Sequence, residues 1–287
     1  MDLSYKVKQV GENVTFVYMK FKKDWEQWFL LSSDRHWDNP HSNRKLQISH
    51  LEEAKEKGAG IIDNGDLFCV MQGKYDPRSD KRDVRPEHME GNYLDRVVDT
   101  AVDFFSPYSH NFIQIGEGNH ESAVEKRRET NLTDRLVSGL NDKTGSKVQN
   151  GKYSGWVKFL FEHDAGGHGK SINLFRHHGY GGGGPVTKGV ISTNRIATYM
   201  PDADIVVQGH IHEDWALTSQ RVRLSDKGVV SLSEQLFICL PTYKEEYGTG
   251  SRGFHIEKGR PPKPIGARWL RFYYKNGEIK FETIRAK

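Results

Sequence analysis

The stretch that decides the reading of this chain is His110-Asn111-Phe112-Ile113-Gln114-Ile115-Gly116-Glu117-Gly118-Asn119-His120-Glu121. Phe112, Ile113 and Ile115 predict a short buried strand, and the two glycines end it. A polar Asn-His-Glu run after such a strand and before a helical stretch sits where α/β folds place ligands. Asn119 can offer a neutral carbonyl oxygen to a metal, and His120 can carry a proton near neutral pH. Four residues recur by chance, but four other strand ends in this chain also finish in residues that bind metals.

Working outward, residues 13–20 and 26–33 read as strands, the second entering Asp34-Arg35-His36-Trp37-Asp38 before Asn39-Pro40 breaks the chain. Residues 41–57 read as a polar surface helix with sparse apolar positions at Leu46, Leu51 and Ala54. A strand at 59–62 enters Asp63-Asn64-Gly65-Asp66, and a charged loop occupies 72–88. Leu94, Val97, Val98, Ala101 and Phe105 have helical spacing. Residues 121–140 read as one charged helix, followed by strands at 153–162 and 171–176 that lead to His177-His178-Gly179. Four glycines, 181–184, and Pro185 precede a helix at 187–200. A strand at 204–208 enters Gly209-His210-Ile211-His212. Beyond it lie strands at 215–224, 229–240, 267–274 and 278–284, interrupted by a loop at 241–264. Trp269, Phe272 and Tyr274 read as residues on either face of a strand. The pattern predicts one α/β domain over 1–287, with its motifs in 26–213 and a β-rich part in 214–287. Strands alternating with helices and then a β-rich tail suggest a four-layer α/β/β/α sandwich.

The strand ends supply Asp34, His36, Asp66, Asn119, His120, His178, His210 and His212. Such a mixed oxygen and nitrogen set suits Mn, Fe, Ni, Co or Zn better than Ca or thiolate-bound metals. In Asp-x-His and His-x-His on an extended chain, side chains two apart would point to one side and reach one centre. A single carboxylate such as Asp66 can bridge two ions. Metals roughly 3.5–4 Å apart can clamp the attacking and leaving oxygens of an in-line displacement at phosphorus.

On these motifs the sequence resembles the calcineurin-like metallophosphoesterases. Their blocks run Asp-x-His, Gly-Asp-x-x-Asp, Gly-Asn-His-Glu/Asp, a His often followed by Gly, and Gly-His-x-His. Here they read Asp34-Arg35-His36, Gly65-Asp66-Leu67-Phe68-Cys69, Gly118 to Glu121, His178-Gly179 and Gly209 to His212, in family order. The resemblance implies the metallophosphoesterase sandwich and two divalent ions, manganese first, with iron, nickel, cobalt or zinc as alternatives. It implies Asp34, His36, Asp66 and His212 around one ion, and Asp66, Asn119, His178 and His210 around the other. A two-metal-activated hydroxide would attack phosphorus, and His120 would be the acid near the leaving group. Cys69 stands where the family has Asp, a position that supports ligands more than it binds metal, so altered tuning is expected. Either imidazole of His177-His178 could be the ligand; His178 is preferred because Gly179 follows it. Cys69-Val70-Met71 in place of Asp-Arg-Gly argues against the Ser/Thr protein phosphatase branch.

A length of 287 residues with 36% hydrophobic and 28% charged residues fits a globular chain with a well-solvated surface. The mean hydropathy of -0.72 predicts long polar loops. Two cysteines, Cys69 and Cys239, give no disulfide framework, so a reducing cytoplasm is expected. No apolar run of about 18 residues occurs, so no membrane span is expected. The formal charge of +4 and pI near 8.8 are compatible with a phosphate-bearing partner. Basic and aromatic residues mix in the loop at 241–264, where Arg252 and Arg260 are the expected substrate contacts, and basic and acidic ones mix at 72–88. A solvated loop is the simpler reading of each. The glycine run lacks the Lys-Ser/Thr of a phosphate loop and reads as a turn near the metals. His41, His50, His88, His110, His163, His168 and His255 read as surface or hydrogen-bonded residues. The expected substrate is a phosphate ester, leaning to a phosphodiester in nucleic acid or nucleotides and resembling the DNA-repair nuclease branch. A phosphomonoesterase or small-nucleotide hydrolase is the nearest alternative, and a non-catalytic interaction protein on the same fold is the alternative of another class. No protein partner is identified.

Overall fold

Three strands in this chain are buried at every position, whereas others bury every second residue, and that contrast sets the layering. The computed structural model describes residues 3–71, 79–89, 91–166, 169–184, 186–248 and 252–287. Lys74, Asp76, Arg78, His168 and Pro185 lie outside the described residues. In chain order the strands are β1 (Tyr5–Gly11), β2 (Val14–Phe21), β3 (Glu26–Ser32), β4 (Gly60–Asp63), β5 (Phe112–Ile115), β6 (Gln149–Asn150) and β7 (Ser154–His163). There follow β8 (Lys170–His177), β9 (Ile205–Gln208), β10 (Trp215–Leu224), β11 (Val230–Cys239), β12 (Arg268–Lys275) and β13 (Glu278–Arg285). The helices are α1 (Arg44–Glu56), α2 (Tyr93–Phe105), α3 (Asn119–Arg128), α4 (Leu132–Thr144), α5 (Ile191–Tyr199) and α6 (Phe254–Glu257). Strands β4, β5 and β9 are buried throughout, as parallel strands covered on both faces are.

Among the described residues the strands form two mixed sheets, ordered β1-β2-β7-β8-β9-β11-β10 and β13-β12-β3-β4-β5-β6. Strands β3, β4, β5 and β6 run parallel, as do β8, β9 and β11. Alternation then divides the apolar residues. On β3, Phe29 and Leu31 face the other sheet and join Val157, Phe159 and Phe161 of β7 and Phe272 of β12 in one cluster. Leu30 points the other way, into a cluster with Leu51 of α1, Val97, Ala101 and Phe105 of α2, and Leu136 and Leu140 of α4. Strand β12 splits likewise, with Trp269 on the helical side and Leu270 and Phe272 between the sheets. A third, small cluster joins Ile196 of α5 to Phe175, Val206 and Phe237. The chain is thus an α/β protein of two mixed sheets and helices.

Some expectations change. The helix expected at 41–57 on the surface begins only at Arg44, capped by Asn43, whose side chain accepts from the Leu46 N–H. It buries Gln47, His50, Leu51 and Ala54, so the helix does not lie on the surface, and the polar Gln47 and His50 are hydrogen-bonded inside. The single helix expected at 121–140 is two. Glu129 at φ 55° ends α3, and Asn131 caps α4 through the Asp134 N–H. Strand β1, largely exposed and charged, was not anticipated, because it lacks an apolar alternation strong enough to show. No helix among the described residues is long and apolar enough to cross a membrane.

The sheets meet through aromatic rings. Phe272 lies 5.7 Å from Phe29 and 4.7 Å from Phe159, and Phe29 lies 4.9 Å from Phe159, centroid to centroid. Phe272→Ala is expected to lower stability by about 3–5 kcal/mol, the usual cost of an aromatic cavity in a core. Urea unfolding measures it, and a loss under about 1 kcal/mol would mean that this cluster does not hold the sheets together.

Candidate metal centre

The candidate residues follow the carboxyl ends of β3, β4 and β5 in one sheet and of β8 and β9 in the other. The spacing argument placed Asp34-x-His36 and His210-x-His212 on extended chain, and the structure corrects it. Strand β3 ends at Ser32 and β9 at Gln208, and the ligand-type residues beyond them adopt left-handed backbone. Their φ values are 51° at Asp34, 42° at His36, 51° at Asp66, 69° at His210 and 56° at His212. Each such residue with a Cβ costs roughly 1 kcal/mol or more, so the surroundings must impose it. They do so by backbone bonds between neighbouring loops: Asp34 N to Gly65 O at 2.9 Å, His36 N to Asp66 O at 3.0 Å, and Trp37 N to Leu67 O at 2.8 Å. Two motif glycines allow the loops to touch. A Cβ on Gly118 would fall 2.0 Å from Asp66 Oδ1, and one on Gly209 would fall 2.0 Å from Ser33 Oγ.

Three groups of ligand-type residues result among the described residues: two of the expected ligands, and a third of His36, Cys69 and His120. Asp34, His36 and His212 bring ligand atoms within 4.8 Å of one another, and so do Asp66, His178 and His210. In the second cluster, His178 Nδ1–H donates to the Asn64 carbonyl at 2.9 Å and His210 Nε2–H donates to the Gly181 carbonyl at 3.0 Å. In the neutral form that binds a metal, each imidazole has then used its one donor. His178 Nε2 turns its lone pair on Asn119 Oδ1 at 3.2 Å and Asp66 Oδ2 at 3.2 Å, and His210 Nδ1 lies 2.8 Å from Asn119 Oδ1. In the first cluster His212 Nε2 is 3.4 Å from His36 Nε2 and 3.1 Å from Asp34 Oδ1. With the inward nitrogens deprotonated, as binding to a metal requires, lone pairs would face one another here, an arrangement that a cation satisfies; a proton on His178 Nε2 bonded to Asp66 satisfies part of it as well. Burial, then the neighbouring His120, holds His36 well below the ordinary imidazole range. Burial and then His178 lower His210. Burial opposes the charge on His178, but the Asp66 carboxylate outweighs it and pushes His178 up to about 10. Of the His177-His178 pair, His178 is the one at Asp66; His177 Nδ1 turns back to accept the Gly179 N–H at 2.9 Å.

A second layer fixes the first. His120 Nδ1–H donates to the Cys69 carbonyl at 2.6 Å, which leaves Nε2 facing the clusters, 3.8 Å from Asp66 Oδ2. Cys69, in the place of the usual Asp, holds His120 through its backbone carbonyl, while its thiol stands with His36 and His120 in a further group of ligand-type atoms. Its buried thiol accepts from Asn39 Nδ2 at 3.2 Å, and burial raises its pKa. Asp38 takes the N–H groups of Cys69 and Val70 at 2.5 and 2.8 Å. Glu121 accepts from the N–H groups of Asp66, Phe68 and Gly118 at 3.2, 2.8 and 2.7 Å. Burial and then the Asp66 carboxylate push Glu121 up to about 8. Arg35, between Asp34 and His36, is fully buried and pairs with Asp63 at 2.7 Å over the Tyr243 ring.

The sequence reading missed one group beside His212. His255, read as an ordinary hydrogen-bonded residue, has its ring 5.4 Å from that of His212, and its Nδ1 is 3.1 Å from Glu246. Glu246 also pairs with the buried Lys244 at 2.8 Å. Burial opposes the charge on Glu246, but the hydrogen bond from His255 and the Lys244 ammonium hold its carboxyl low. The sequence carried no signal for this, since the three residues belong to a loop without periodicity. Arg260 stacks over Phe254 at 4.9 Å next to this group, and Arg252 is exposed; no contact described here takes either to the clusters. The glycine run turns beside the site, its Gly181 carbonyl holding His210.

No family model and no curated protein matches this chain. Among solved structures, Vacuolar Protein Sorting 29 from Cryptosporidium parvum aligns with a TM-score of 0.39 at 14% identity, covering 92% of this chain and 99% of that one. Wild-type Vps29 from Entamoeba histolytica, complexed with zinc, aligns with a TM-score of 0.36 at 8% identity, covering 90% and 99%. A single mutant of the Entamoeba histolytica protein gives 0.39 at 11%, covering 91% and 100%. Likeness at this level carries no argument, and the reading below rests on the residues of this chain.

Glu121 provides a test of how the loops are held. Glu121→Ala leaves three buried N–H groups without their acceptor and is expected to cost about 3 kcal/mol or more, at 1–3 kcal/mol per stranded group. Glu121→Gln keeps one acceptor oxygen and should cost clearly less. Equal, small losses in urea unfolding would show that Glu121 does not organise the Asp66 and Gly118 loops.

Proposed function

We propose that this protein is a metal-dependent phosphoesterase with the four-layer α/β/β/α arrangement of the metallophosphoesterase type. One observation carries the reading: His178 Nε2, His210 Nδ1, Asn119 Oδ1 and Asp66 Oδ2 converge on one point, each imidazole bonded through its other nitrogen to a carbonyl on its far side. The donor set fits a divalent ion of the manganese-to-zinc series, manganese first. Asp34, His36, Asp66 and His212 would hold one ion, and Asp66, Asn119, His178 and His210 the other, with Asp66 common to both. Bound there, the ions supply Lewis acidity to a phosphate ester and lower the pKa of an attacking water.

The protein's own part is positioning and proton transfer. His120 sits at the start of α3, and its ring is fixed by the Nδ1–H bond to Cys69, so a proton carried on Nε2 is aimed at the departing oxygen. The buried Arg35–Asp63 pair and Glu121 keep the Asp34, Asp66 and Gly118 loops in register while substrate exchanges. For substrate, the formal charge of +4 and the basic, aromatic surface around Arg252 and Arg260 support a phosphodiester in nucleic acid or nucleotides. Purified protein with manganese, assayed on mono- and diesters that include single- and double-stranded DNA and RNA, tests the class. Preference for monoesters would move the reading to a phosphomonoesterase. Absence of turnover on every ester with metal bound would leave a non-catalytic scaffold.

Asp66→Ala is expected to lose both ions and the activity, while His36→Ala mainly empties one site. Elemental analysis of the purified variants decides this, and full occupancy in the Asp66 variant sinks the shared-carboxylate assignment.

His120→Ala should keep its metals yet slow turnover by ~10²–10⁴-fold on esters with poor leaving groups. A nitrophenolate departs without a proton, so the loss on a nitrophenyl ester should be much smaller. Equal losses on the two substrates would mean that the imidazole orients the phosphate and does not protonate the leaving oxygen.

A further inference from the structure

The hairpin of β10 and β11 outruns the core it grows from. Its register pairs Ala216 with Ile238, Thr218 with Leu236, Gln220 with Glu234, Val222 with Leu232 and Leu224 with Val230, so these side chains share one face. At the base of that face Leu236 and Ile238 are buried between the two sheets, with Ala216 packed against them. Beyond Gln220 and Glu234, whose side chains hydrogen-bond at 3.3 Å, the face lies open. Val222, Leu224, Val230 and Leu232 are 66–74% exposed. The opposite face is fastened down. Arg221 donates to the Pro201 and Ala203 carbonyls at 2.7 Å, and Arg223 donates to the Pro201 carbonyl at 2.6 Å, which ties the hairpin to the segment after α5. The apolar face is thus held in place and turned to solvent.

Exposed apolar residues scattered singly are ordinary, but two adjacent cross-strand pairs make a patch. These four residues present roughly 450 Å², against about 300–600 Å² for the largest patch on a typical monomer. Two such patches face to face would withdraw roughly 900 Å², and the polar residues at their ends carry the total past the roughly 1,000 Å² at which specific interfaces begin.

The polar ends suit a second copy in one orientation. Asp226 and Lys227 form the turn at the tip, and Gln220 and Glu234 close the patch at its base. A twofold axis running through the paired Arg223 and Ser231 lays each tip over the other copy's base. Val222 of one copy then meets Leu224 of the other, and Val230 meets Leu232. At the ends Asp226 meets the Gln220 amide, and Lys227 meets the Glu234 carboxylate. Every contact occurs twice, as an isologous interface requires.

We propose that this face joins two copies of the chain in a twofold dimer, each hairpin covering the other where the second sheet no longer does. The metal centres take no part. Strand β10 leaves their neighbourhood at Trp215 and reaches the patch about 20 Å further on, so the two centres sit at opposite ends of the pair.

Sedimentation velocity of the whole protein from about 1 to 200 µM, a span that brackets micromolar affinity, tests the proposal. The expected result is a mass that rises from 32.9 kDa toward twice that value and no further. The Leu224→Glu/Leu232→Glu variant should stay monomeric throughout, with the parent's circular dichroism and metal content, because both side chains are exposed in the monomer. Lys227→Glu should weaken dimerisation roughly tenfold, since two ion pairs become two like-charged contacts, and adding Glu234→Lys to it should restore the parent's affinity. A parent that remains at 32.9 kDa at every concentration overturns the proposal, and the face then belongs to a different protein. A dimer that the Leu224→Glu/Leu232→Glu variant leaves intact overturns it as well, because another surface would be joining the copies. A dimer weakened by Lys227→Glu and not rescued by Glu234→Lys overturns the twofold arrangement.

Discussion

The structure depends on a crowding of polar groups. Carboxylate, amide and imidazole groups from both sheets are pressed together at His178, His210, Asn119 and Asp66 and again at His36, His212 and Asp34. Left alone, such groups would turn away from one another or fill with water. Several have their other end anchored: His178 to the Asn64 carbonyl, His210 to Gly181, Asp34 Oδ2 to the His210 N–H at 2.9 Å, whereas the buried Nδ1 atoms of His36 and His212 have no hydrogen-bond partner among the described residues. At His178 and His210 the outer bonds choose what points inward.

Because the donors come from two sheets, the site is only as well defined as the gap between them. Asp34, Asp66 and Asn119 follow strands of one sheet, His178 and His210 strands of the other. The Phe29, Phe159 and Phe272 rings fill that gap some residues away. A core of this packing density transmits strain rather than absorbing it. Buried Arg176 does similar work nearer the site, bridging Gln114 of β5 and the Lys152 carbonyl at 2.9 and 3.0 Å.

Much of this was legible because the strands are short, apolar and end in glycine or polar residues. Phe112 to Ile115, Ile205 to Gln208 and the β10 to β13 run were readable from composition and spacing alone. The metal-type residues could be collected from the strand ends without knowing the backbone that carries them. The left-handed conformations at Asp34, His36, Asp66, His210 and His212 were not legible, because nothing in the identity of Asp or His demands φ above zero; contacts between loops distant in sequence impose it. The break at Glu129 was legible in principle, since the weak helix formers Thr130 and Asn131 follow it and Asn131 is a cap-type residue, but the charged run before it masked the signal. His255 stayed unnoticed because its relation to His212 is purely tertiary, made by a loop that closes over the strand ends. Arg35 gave no sign either: a charged residue between two ligand-type residues reads as exposed until its partner Asp63, on the next strand, is in place.

The five left-handed residues bear on how this chain could change over generations. Glycine would relieve the backbone at each, but at Asp34 and Asp66 it would also strand the His210 and His120 N–H groups that those carboxylates accept. The backbone that would be easiest to fold and the side chains that the loops need thus pull in opposite directions at the same positions, so a substitution there trades one cost for another.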